Sequence, residues 1–266
     1  MKKMILGALF CSLAFANSLN DIQKSKIIRI GVYESEPPFS KKTDNDYEGF
    51  EAELAKSLGS AIVGDGGKIE LVPITSDDLR LKYLKENRID MAVASVSVTE
   101  QRRQEVEFSM PYFSASLGLL TTKNSNIKNF NNIKQSTIGA ISGSTGEEFL
   151  VKNGIKSVQC SGSRECYQKV KSGEIDGYLD DNLYVMTYPI LDNDVKVDLK
   201  NLGDSVFLAV AVQKGNKDLV EAINKQLVML NKSGFFKKAY NDTFEPFYKG
   251  TADKKYFLLD DLYNFL

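Results

Sequence analysis

Residues 90–113, DMAVASVSVTEQRRQEVEFSMPYF, contain an apolar strand that runs directly into a helix. The strand ends in Ser95, Ser97 and Thr99, and Thr99 is the predicted N-cap of the helix. A strand end that leads into a helix N-terminus presents free backbone N–H groups, which attract a carboxylate. Arg102 lies one turn into this helix, and its guanidinium can grip a carboxylate at two points. The segment therefore predicts a carboxylate-binding site.

The same segment has a simpler interpretation. It would then be a capped surface helix whose Arg102 and Arg103 are both solvated. The chemistry of these residues alone gives this alternative the larger weight. The rest of the chain must decide between a surface helix and a binding site.

The composition excludes several classes of function. The 266 residues include 34 Lys and Arg against 35 Asp and Glu, a formal net charge of −1. Without a strongly basic surface, we expect no nucleic-acid partner. The chain has no His, which excludes Ser-His-Asp triads, Cys-His proteases and His-ligated zinc. We expect no cofactor and no metal site.

Residues 1–16 have the pattern of an export signal. Two lysines precede an uncharged run over 4–15, which leads into the Ala-Phe-Ala sequence that signal peptidase recognises. We expect cleavage after Ala16 and a mature protein in the periplasm. A transmembrane anchor is the alternative, but it needs about 20 apolar residues. A lipoprotein site at Cys11 is a further alternative, although a bulky residue precedes that cysteine where a small one is expected.

Two cysteines, Cys160 and Cys166, remain after removal of the signal. In an oxidising compartment they allow one internal pairing. Their spacing is compatible with a disulfide, but the distance between their Cα atoms cannot be read from the sequence. A disulfide and two free thiols are equally compatible with the pattern.

Short apolar strands alternate with amphipathic helices along the chain, which favours parallel sheets with crossover helices. In a first unit, we predict strands and helices alternating at 27–33, 49–62, 68–74, 77–86 and 89–93. In a second unit, they alternate at 137–141, 145–151, 157–159, 164–171, 175–179 and 182–188. Longer strands at 116–122 and 206–213 follow the two units, and a helix is predicted at 218–231.

The two longer strands predict two lobes joined by two crossovers. Lobe 1 would comprise residues 26–118 and 213–245, and lobe 2 would comprise residues 119–212. Residues 246–266 form a polar and aromatic tail that the pattern does not place.

Residues 90–113 closely resemble the D-x-x-x-A-x-x-S-x-T-x-x-R…F-S-x-P-Y segment of the periplasmic polar amino acid-binding proteins (solute-binding protein family 3). These proteins are the receptors of amino acid ABC importers. Further motifs of that family follow in order along residues 26–240: Pro37-Pro38-Phe39, Gly49-Phe50, Gly139-Ala140-Ile141, Gly143-Ser144-Thr145 and 173–181. The resemblance implies the α/β periplasmic binding protein (Venus flytrap) fold. In that fold two lobes, each a mostly parallel sheet flanked by helices, are joined by two hinge strands and close on one amino acid.

The resemblance assigns roles to residues by their place in the motifs. Arg102 would hold the α-carboxylate of the ligand. Ser97 would add its backbone N–H, and Ser95 its hydroxyl or carbonyl group.

The second lobe would supply the remaining contacts to the ligand backbone. Thr145 would bind the same carboxylate from across the cleft, with Ser144 beside it. Asp181 is the expected partner of the α-ammonium, and Asp180 is the neighbouring candidate. A helix N-cap is the alternative role for either aspartate.

Three further residues concern specificity. Relatives that bind acidic amino acids or cysteine resemble this chain in carrying an Arg at position 80, so Arg80 would favour a carboxylate, thiolate or other electron-rich side chain. Glu36 stands where many relatives place an aromatic that stacks on the ligand, and Tyr33 is its candidate replacement. Glu36 either pairs with Arg80 and neutralises it or favours an amide or cationic ligand, while a solvated helix residue is the alternative for Arg80. We predict that the ligand is Cys, Glu, Asp or Gln.

These expectations together describe a transport receptor without catalysis. It would act as a monomer and pass its amino acid ligand to an ABC permease in the inner membrane. The alternative is an exported enzyme on the same fold, similar to cyclohexadienyl or arogenate dehydratases. Such an enzyme needs a carboxylic acid that protonates a departing hydroxyl, for which Glu36 and Glu147 are the candidates.

Overall fold

The computed structural model describes residues 17–251. The predicted signal peptide at 1–16 and residues 252–266 of the predicted tail lie outside the described residues. Within the described range, no helix is both long enough and apolar enough to span a bilayer.

Strands and helices alternate through most of the described chain. The strands are β1 (Ile27–Tyr33), β2 (Ser35–Glu36), β3 (Ser40–Lys42), β4 (Tyr47–Glu48), β5 (Lys68–Ile74), β6 (Met91–Ala92), β7 (Val106–Thr122), β8 (Ile138–Ile141), β9 (Ser157–Cys160), β10 (Gly177–Asp181) and β11 (Val195–Gln213). The helices are α1 (Leu19–Ser25), α2 (Phe50–Val63), α3 (Asp77–Lys85), α4 (Glu100–Glu105), α5 (Phe130–Lys134), α6 (Thr145–Lys152), α7 (Ser163–Ser172), α8 (Asn182–Val185), α9 (Tyr188–Leu191), α10 (Lys217–Lys232), α11 (Phe235–Ala239) and α12 (Glu245–Tyr248), with a π-helical turn at Tyr240–Phe244.

The sheet order confirms the predicted two-lobed α/β fold. Eight strands form one hydrogen-bonded sheet in the order β5-β1-β6-β11-β7-β10-β8-β9. At one end β1 is parallel to β5 and β6, and at the other β8 is parallel to β9 and β10. Each parallel group is connected through helices, as crossover connections require. The two groups form the sheets of the two lobes.

Several of the strands and helices that the hydrophobic pattern predicts are confirmed. The predicted strands 27–33 and 68–74 are β1 and β5. The apolar side chains predicted at four-residue spacing on α2 are all buried, with at most 4% of each exposed: Phe50, Leu54, Leu58 and Ile62. Such a stripe packs a helix against a sheet and removes its apolar surface from water.

The strands β7 and β11 are much longer than predicted, and they pair with each other in antiparallel fashion along nearly their whole length. The predicted strands covered only 116–122 and 206–213. Pro111, which has no N–H to donate, lies on β7 opposite Ala209, between two register shifts of the pairing. Such interruptions conceal a continuous strand from pattern analysis.

Strand β11 pairs with a strand of the first lobe near its carboxyl end. On β11, Ala211 and Val212 pair with β6, a strand of the first lobe. The lobe boundary between residues 212 and 213 stays a prediction.

The predicted tail at 246–266 begins within packed structure. Tyr248 is 1% exposed, and its hydroxyl donates to the carbonyl of Leu183 at 2.6 Å. Just before the tail, Phe244 is fully buried, with its ring centroid 5.1 Å from that of Phe39. These aromatic rings attach the end of the described chain to the core, since ring pairs in contact add to the energy of area burial.

Cys160 and Cys166 are joined by a disulfide, with their Cα atoms 5.5 Å apart. The bridge connects the end of β9 to a buried face of α7. It packs over Gly139 of β8, where an added Cβ would lie 3.2 Å from the Cys166 sulfur and 2.4 Å from Ile175. The glycine thus provides the space that the disulfide and its neighbour occupy.

We expect the double variant C160A/C166A to lose about 2 kcal/mol of unfolding free energy, because closing a loop of this length restricts the unfolded chain by roughly that amount. Urea denaturation of the variant and the wild type measures the difference. Reducing agent should destabilise the wild type and leave the variant unchanged. Equal wild-type stability with and without reductant would show that the bridge contributes nothing.

Candidate functional site

Polar segments at the carboxyl ends of β1, β6, β8 and β10 surround a cavity with an empty volume of about 360 Å³. Such strand ends are the usual ligand sites of open α/β sheets. Charged, hydroxyl and aromatic side chains make up most of the wall. The lining residues are Tyr33, Glu36, Asp77, Arg80, Ser95, Ser97, Arg102, Ile141, Ser144, Thr145, Ser163, Asp180, Asp181 and Tyr184.

Arg102 places a buried cation in this wall. The N-cap of α4, Thr99, accepts a hydrogen bond from the Arg102 backbone N–H at 3.2 Å, as predicted. The guanidinium donates to the carbonyl of Ser97 at 3.0 Å and to that of Gly143 at 2.8 Å. Burial and the like charge of Arg80 lower the pKa of Arg102. No Asp or Glu among the described residues forms a salt bridge with Arg102.

The second lobe contributes Ser144, Thr145 and Asp181. Ser144 is the N-cap of α6 and accepts a hydrogen bond from the backbone N–H of Glu147 at 3.2 Å. Thr145 follows it and donates from Oγ1 to Asp181 Oδ1 at 3.2 Å. Burial raises the pKa of Asp181 to about 6, although the Thr145 hydrogen bond acts in the opposite direction. Within the described part of the chain, Asp181 has no Lys or Arg partner at salt-bridge distance.

Asp180 lines the same cavity, but its two carboxylate oxygens already accept hydrogen bonds from its own strand. Oδ2 accepts from the Tyr178 hydroxyl, and Oδ1 accepts from the Asp181 backbone N–H at 2.8 Å. Burial and the charge of Asp181 raise the pKa of Asp180 well above its usual range. Asp181 therefore keeps more hydrogen-bonding capacity for a ligand than Asp180 does.

Arg80 is buried, and protein groups occupy most of its donors. Its Nη2 forms a salt bridge with Asp77 Oδ2 at 2.9 Å, and its Nε donates to the Asp77 carbonyl at 2.9 Å. Its Nη1 donates to the carbonyls of Ala94 and Ser95 at 3.2 and 2.9 Å. The Tyr33 hydroxyl donates to Asp77, and the Arg80 Cζ lies 5.6 Å from the centroid of the Tyr33 ring. Arg80 thus holds the loop after β6 and is not a solvated helix residue.

Glu36 connects the first lobe to the second. Its Oε1 accepts a hydrogen bond at 2.9 Å from the Oγ of Ser163, the first residue of α7. It forms no salt bridge with Arg80, so the alternative in which these two residues pair is wrong: the partner of Arg80 is Asp77. Burial raises the pKa of Glu36 to about 7, and the Ser163 hydrogen bond opposes this shift.

Tyr184 from the second lobe reaches the loop after β6. Its hydroxyl donates to Ser95 Oγ, which in turn donates to Glu51 Oε1 at 2.8 Å. The same Glu51 oxygen accepts from the Ser95 backbone N–H at 2.8 Å and from the Tyr112 hydroxyl at 2.5 Å. Because Glu51 is fully buried, its pKa is raised. A continuous chain of hydrogen bonds therefore runs from one lobe into the core of the other.

All the binding residues predicted from sequence line this single cavity: Tyr33, Glu36, Arg80, Ser95, Ser97, Arg102, Ser144, Thr145 and Asp181. Sequence analysis missed three polar lining residues. Asp77 had a detectable signal, because it stands three positions before Arg80 on one helix, where side chains meet. Ser163 and Tyr184 contact partners that are 127 and 89 residues away, and no local pattern indicates such contacts.

The site complements a small dipolar molecule. Arg102 offers a cation and Asp181 an anion, and each is buried where charge-assisted hydrogen bonds are strong. The described residues contain no group of three or more acidic or cysteine side chains that could hold a metal ion. The fold and the site together define a two-lobed solute-binding protein.

Comparison with known proteins places the chain within this class. Residues 28–246 match the family model of the bacterial extracellular solute-binding proteins, family 3. The chain belongs to that family.

Individual relatives cover most of the chain. The ABC transporter glutamine-binding protein GlnH of Bacillus subtilis is 30% identical over 203 residues, 74% of this chain and 73% of its own. The crystal structure of a cysteine-binding protein from Campylobacter jejuni is similar at a TM-score of 0.84 and 29% identity, covering 90% of this chain and 97% of that one. The ancestral amino acid-binding protein AncCDT-1, a precursor of cyclohexadienyl dehydratase, is similar at a TM-score of 0.75 and 29% identity, covering 86% and 100%.

We expect Glu36→Gln to alter how stability depends on pH. The folded protein binds the Glu36 proton more tightly than the unfolded chain does, because its pKa rises from 4.5 to about 7. The contribution of Glu36 to the unfolding free energy therefore falls as the pH rises through this interval. Melting temperatures measured between about pH 5 and pH 8 should show that the stability of the variant increases relative to that of the wild type as the pH rises.

The exposed Glu48 of β4 provides a matched control. The melting temperature of the variant Glu48→Gln should differ from that of the wild type by a constant amount across the same pH range. A constant offset between Glu36→Gln and the wild type would contradict a raised pKa at Glu36.

Proposed function

We propose that this protein is an extracytoplasmic receptor that captures a free polar L-amino acid by lobe closure and delivers it to an ABC permease. Family membership supports solute binding, and both named relatives of known ligand bind an amino acid. We also propose periplasmic export with removal of residues 1–16, and a lobe division close to the predicted one.

The observation that carries the proposal is the buried guanidinium of Arg102. It is 6% exposed and has no acidic partner among the described residues, although a buried charge is costly unless it is paired. Carbonyl groups of residues 17–251 satisfy only two of its five N–H donors. A carboxylate in the cavity would supply the missing anion, and every free amino acid carries one.

The ammonium end of the ligand has its partner in Asp181. This carboxylate is buried and accepts a hydrogen bond from Thr145. It comes from the second lobe, whereas Arg102 comes from the first. Ser97, Ser95, Ser144 and Thr145 would complete the contacts to the ligand backbone. An amino acid thus neutralises two buried charges that belong to different lobes.

Contacts between the lobes support closure around the ligand. Arg102 donates to the Gly143 carbonyl, Ser163 donates to Glu36, and the Tyr184 hydroxyl donates to Ser95. A ligand that touches both lobes binds the closed arrangement more tightly than an open one, and this difference drives closure.

The ligand set we propose is Cys, Glu, Asp and Gln. The names of two relatives agree with two members of this set, since one is a glutamine-binding and the other a cysteine-binding protein. Tyr33, Glu36 and Arg80 would face the ligand side chain.

Binding is better supported than dehydratase activity. The acid candidate Glu147 does not line the central cavity, and its carboxylate accepts from the Gly143 backbone N–H at 2.7 Å and from the Gln159 amide. The other candidate, Glu36, accepts a hydrogen bond from Ser163. Turnover of arogenate or prephenate by the purified protein would reject the receptor proposal.

A thermal-shift screen over the twenty amino acids and cystine identifies the ligand, because a ligand that binds only the folded state raises the melting temperature. We then expect Arg102→Ala to weaken binding of every ligand by about thirtyfold or more, since removing one partner of a buried charge pair costs about 2–5 kcal/mol. Isothermal titration calorimetry measures the affinities.

The neighbouring Arg103 is exposed and provides the control. Arg103→Ala should bind with wild-type affinity. Undiminished affinity in Arg102→Ala would refute the assignment of the carboxylate site.

Lobe closure should be visible in solution. We expect small-angle X-ray scattering to show a smaller radius of gyration when the identified ligand is added, because the ligand shifts the population towards the closed form. Arg102→Ala should show no such change at the same ligand concentration. An unchanged wild-type profile at saturation would argue against closure as the response to binding.

A further inference from the structure

We propose that Glu36 determines specificity by rejecting amino acids with an anionic side chain, so that the receptor takes the neutral members of the proposed set, glutamine and cysteine. This inference rests on the proposed function and narrows it. It follows from the charges that line the cavity and from the partners that each of them already has.

The lining contains more acids than bases. Two cations, Arg80 and Arg102, face the carboxylates of Glu36, Asp77, Asp180 and Asp181. A zwitterionic amino acid adds one charge of each sign, so the acidic excess remains after binding. An anionic side chain would enlarge this excess inside a buried site, where like charges repel strongly.

Arg80 is not free to compensate a ligand carboxylate. Its Nη2 is paired with Asp77 at 2.9 Å, and its Nε and Nη1 donate to backbone carbonyls. Four of its five N–H donors are thereby occupied. Moving Arg80 towards a ligand would break the buried pair and leave the Asp77 carboxylate without its cation, which is costly.

The remaining charges are assigned to the ligand backbone. Arg102 binds the α-carboxylate and Asp181 binds the α-ammonium under the proposed function. Asp180 has both of its oxygens hydrogen-bonded by Tyr178 and by the Asp181 backbone. Glu36 is therefore the lining carboxylate that keeps an oxygen for the ligand side chain, since only its Oε1 accepts from Ser163.

The surroundings of Glu36 strengthen the rejection of an anion. Among the charged groups that act on Glu36, Asp77 and Glu51 act in the same direction as an anionic ligand would, whereas Arg80 opposes them. Oε2 of Glu36 can accept a hydrogen bond from an amide or a thiol, whereas a second carboxylate offers no donor. Unpaired charges of this kind are a common means by which binding sites exclude the wrong partner.

Three matched ligand pairs test the proposal by isothermal titration calorimetry: glutamine with glutamate, asparagine with aspartate, and cysteine with its sulfonate analogue cysteate. We expect the wild type at about pH 8, where Glu36 is ionised, to bind the neutral member of each measurable pair about tenfold or more tightly. Glu36→Gln should reduce that ratio about tenfold by improving the binding of the anionic member.

A matched control separates the charge of Glu36 from the loss of a carboxylate elsewhere. Glu48→Gln removes an exposed carboxylate outside the cavity and should keep the wild-type ratio. Melting temperatures of all variants without ligand show whether each is folded.

The outcomes distinguish this inference from the proposed function. Glutamate, aspartate or cysteate binding as tightly as its neutral partner, with Arg102→Ala still weakening binding about thirtyfold or more, would overturn the role of Glu36 and leave the receptor proposal intact. An unchanged ratio in Glu36→Gln would also overturn it. Absence of binding for every amino acid would overturn both.

Discussion

The antiparallel pairing of β7 with β11 is the constraint on which both halves of the cavity depend. It extends from Val195 opposite Thr122 to Gln213 opposite Val106, while β10 pairs with β7 and β6 pairs with β11. The parallel strands of each lobe are therefore attached to one two-stranded ribbon. The register of this ribbon determines which strand ends face each other. It thereby brings Arg102 and Asp181 to the walls of one cavity, although these residues are 79 positions apart in the sequence (181 − 102). Several register shifts interrupt its ladder, and irregularities of this kind bend a strand and increase its twist locally.

The cavity concentrates buried charges that would be unfavourable if they were left alone. Arg80 and Asp77 compensate each other, whereas Arg102 and Asp181 each have only neutral hydrogen-bond partners among the described residues. Burial raises the pKa of Asp181 to about 6, because the removal of water disfavours its charged form. A site of this kind is stabilised by a ligand that carries both charges. Under the proposed function, the same imbalance would give the site its selectivity, since Glu36 would remain after the backbone charges of the ligand are matched.

The sequence predicted local elements and most of the polar residues that line the cavity, but it did not predict long-range partners. The stripe of Phe50, Leu54, Leu58 and Ile62 identified α2 because burial repeats with the helical period. The motif around Arg102 identified one wall of the site for the same local reason: the cap, the strand end and the arginine are adjacent in the chain. The length of β7 and β11 was missed because Pro111 and the polar, largely exposed residues 198–205 interrupt the apolar pattern. The pairing of Glu36 with Arg80, one of the two alternatives for Glu36, was wrong, because the spacing of two residues in the sequence does not determine whether their side chains meet in the fold.

The loop after β6 is held in its conformation by side chains of the first lobe, independently of contacts from the second lobe. Ser95 has a φ of 48°, a left-handed conformation that costs a non-glycine residue about 1–2 kcal/mol. Two side chains of its own lobe hold it there through three hydrogen bonds: Glu51 accepts from its backbone N–H and hydroxyl, and Arg80 donates to its carbonyl. The second lobe contributes the Tyr184 hydroxyl, which donates to the Ser95 Oγ. Because the strained conformation is secured by Glu51 and Arg80, closure adds a hydrogen bond to a loop that is already in place, and less of the binding energy is spent on ordering it.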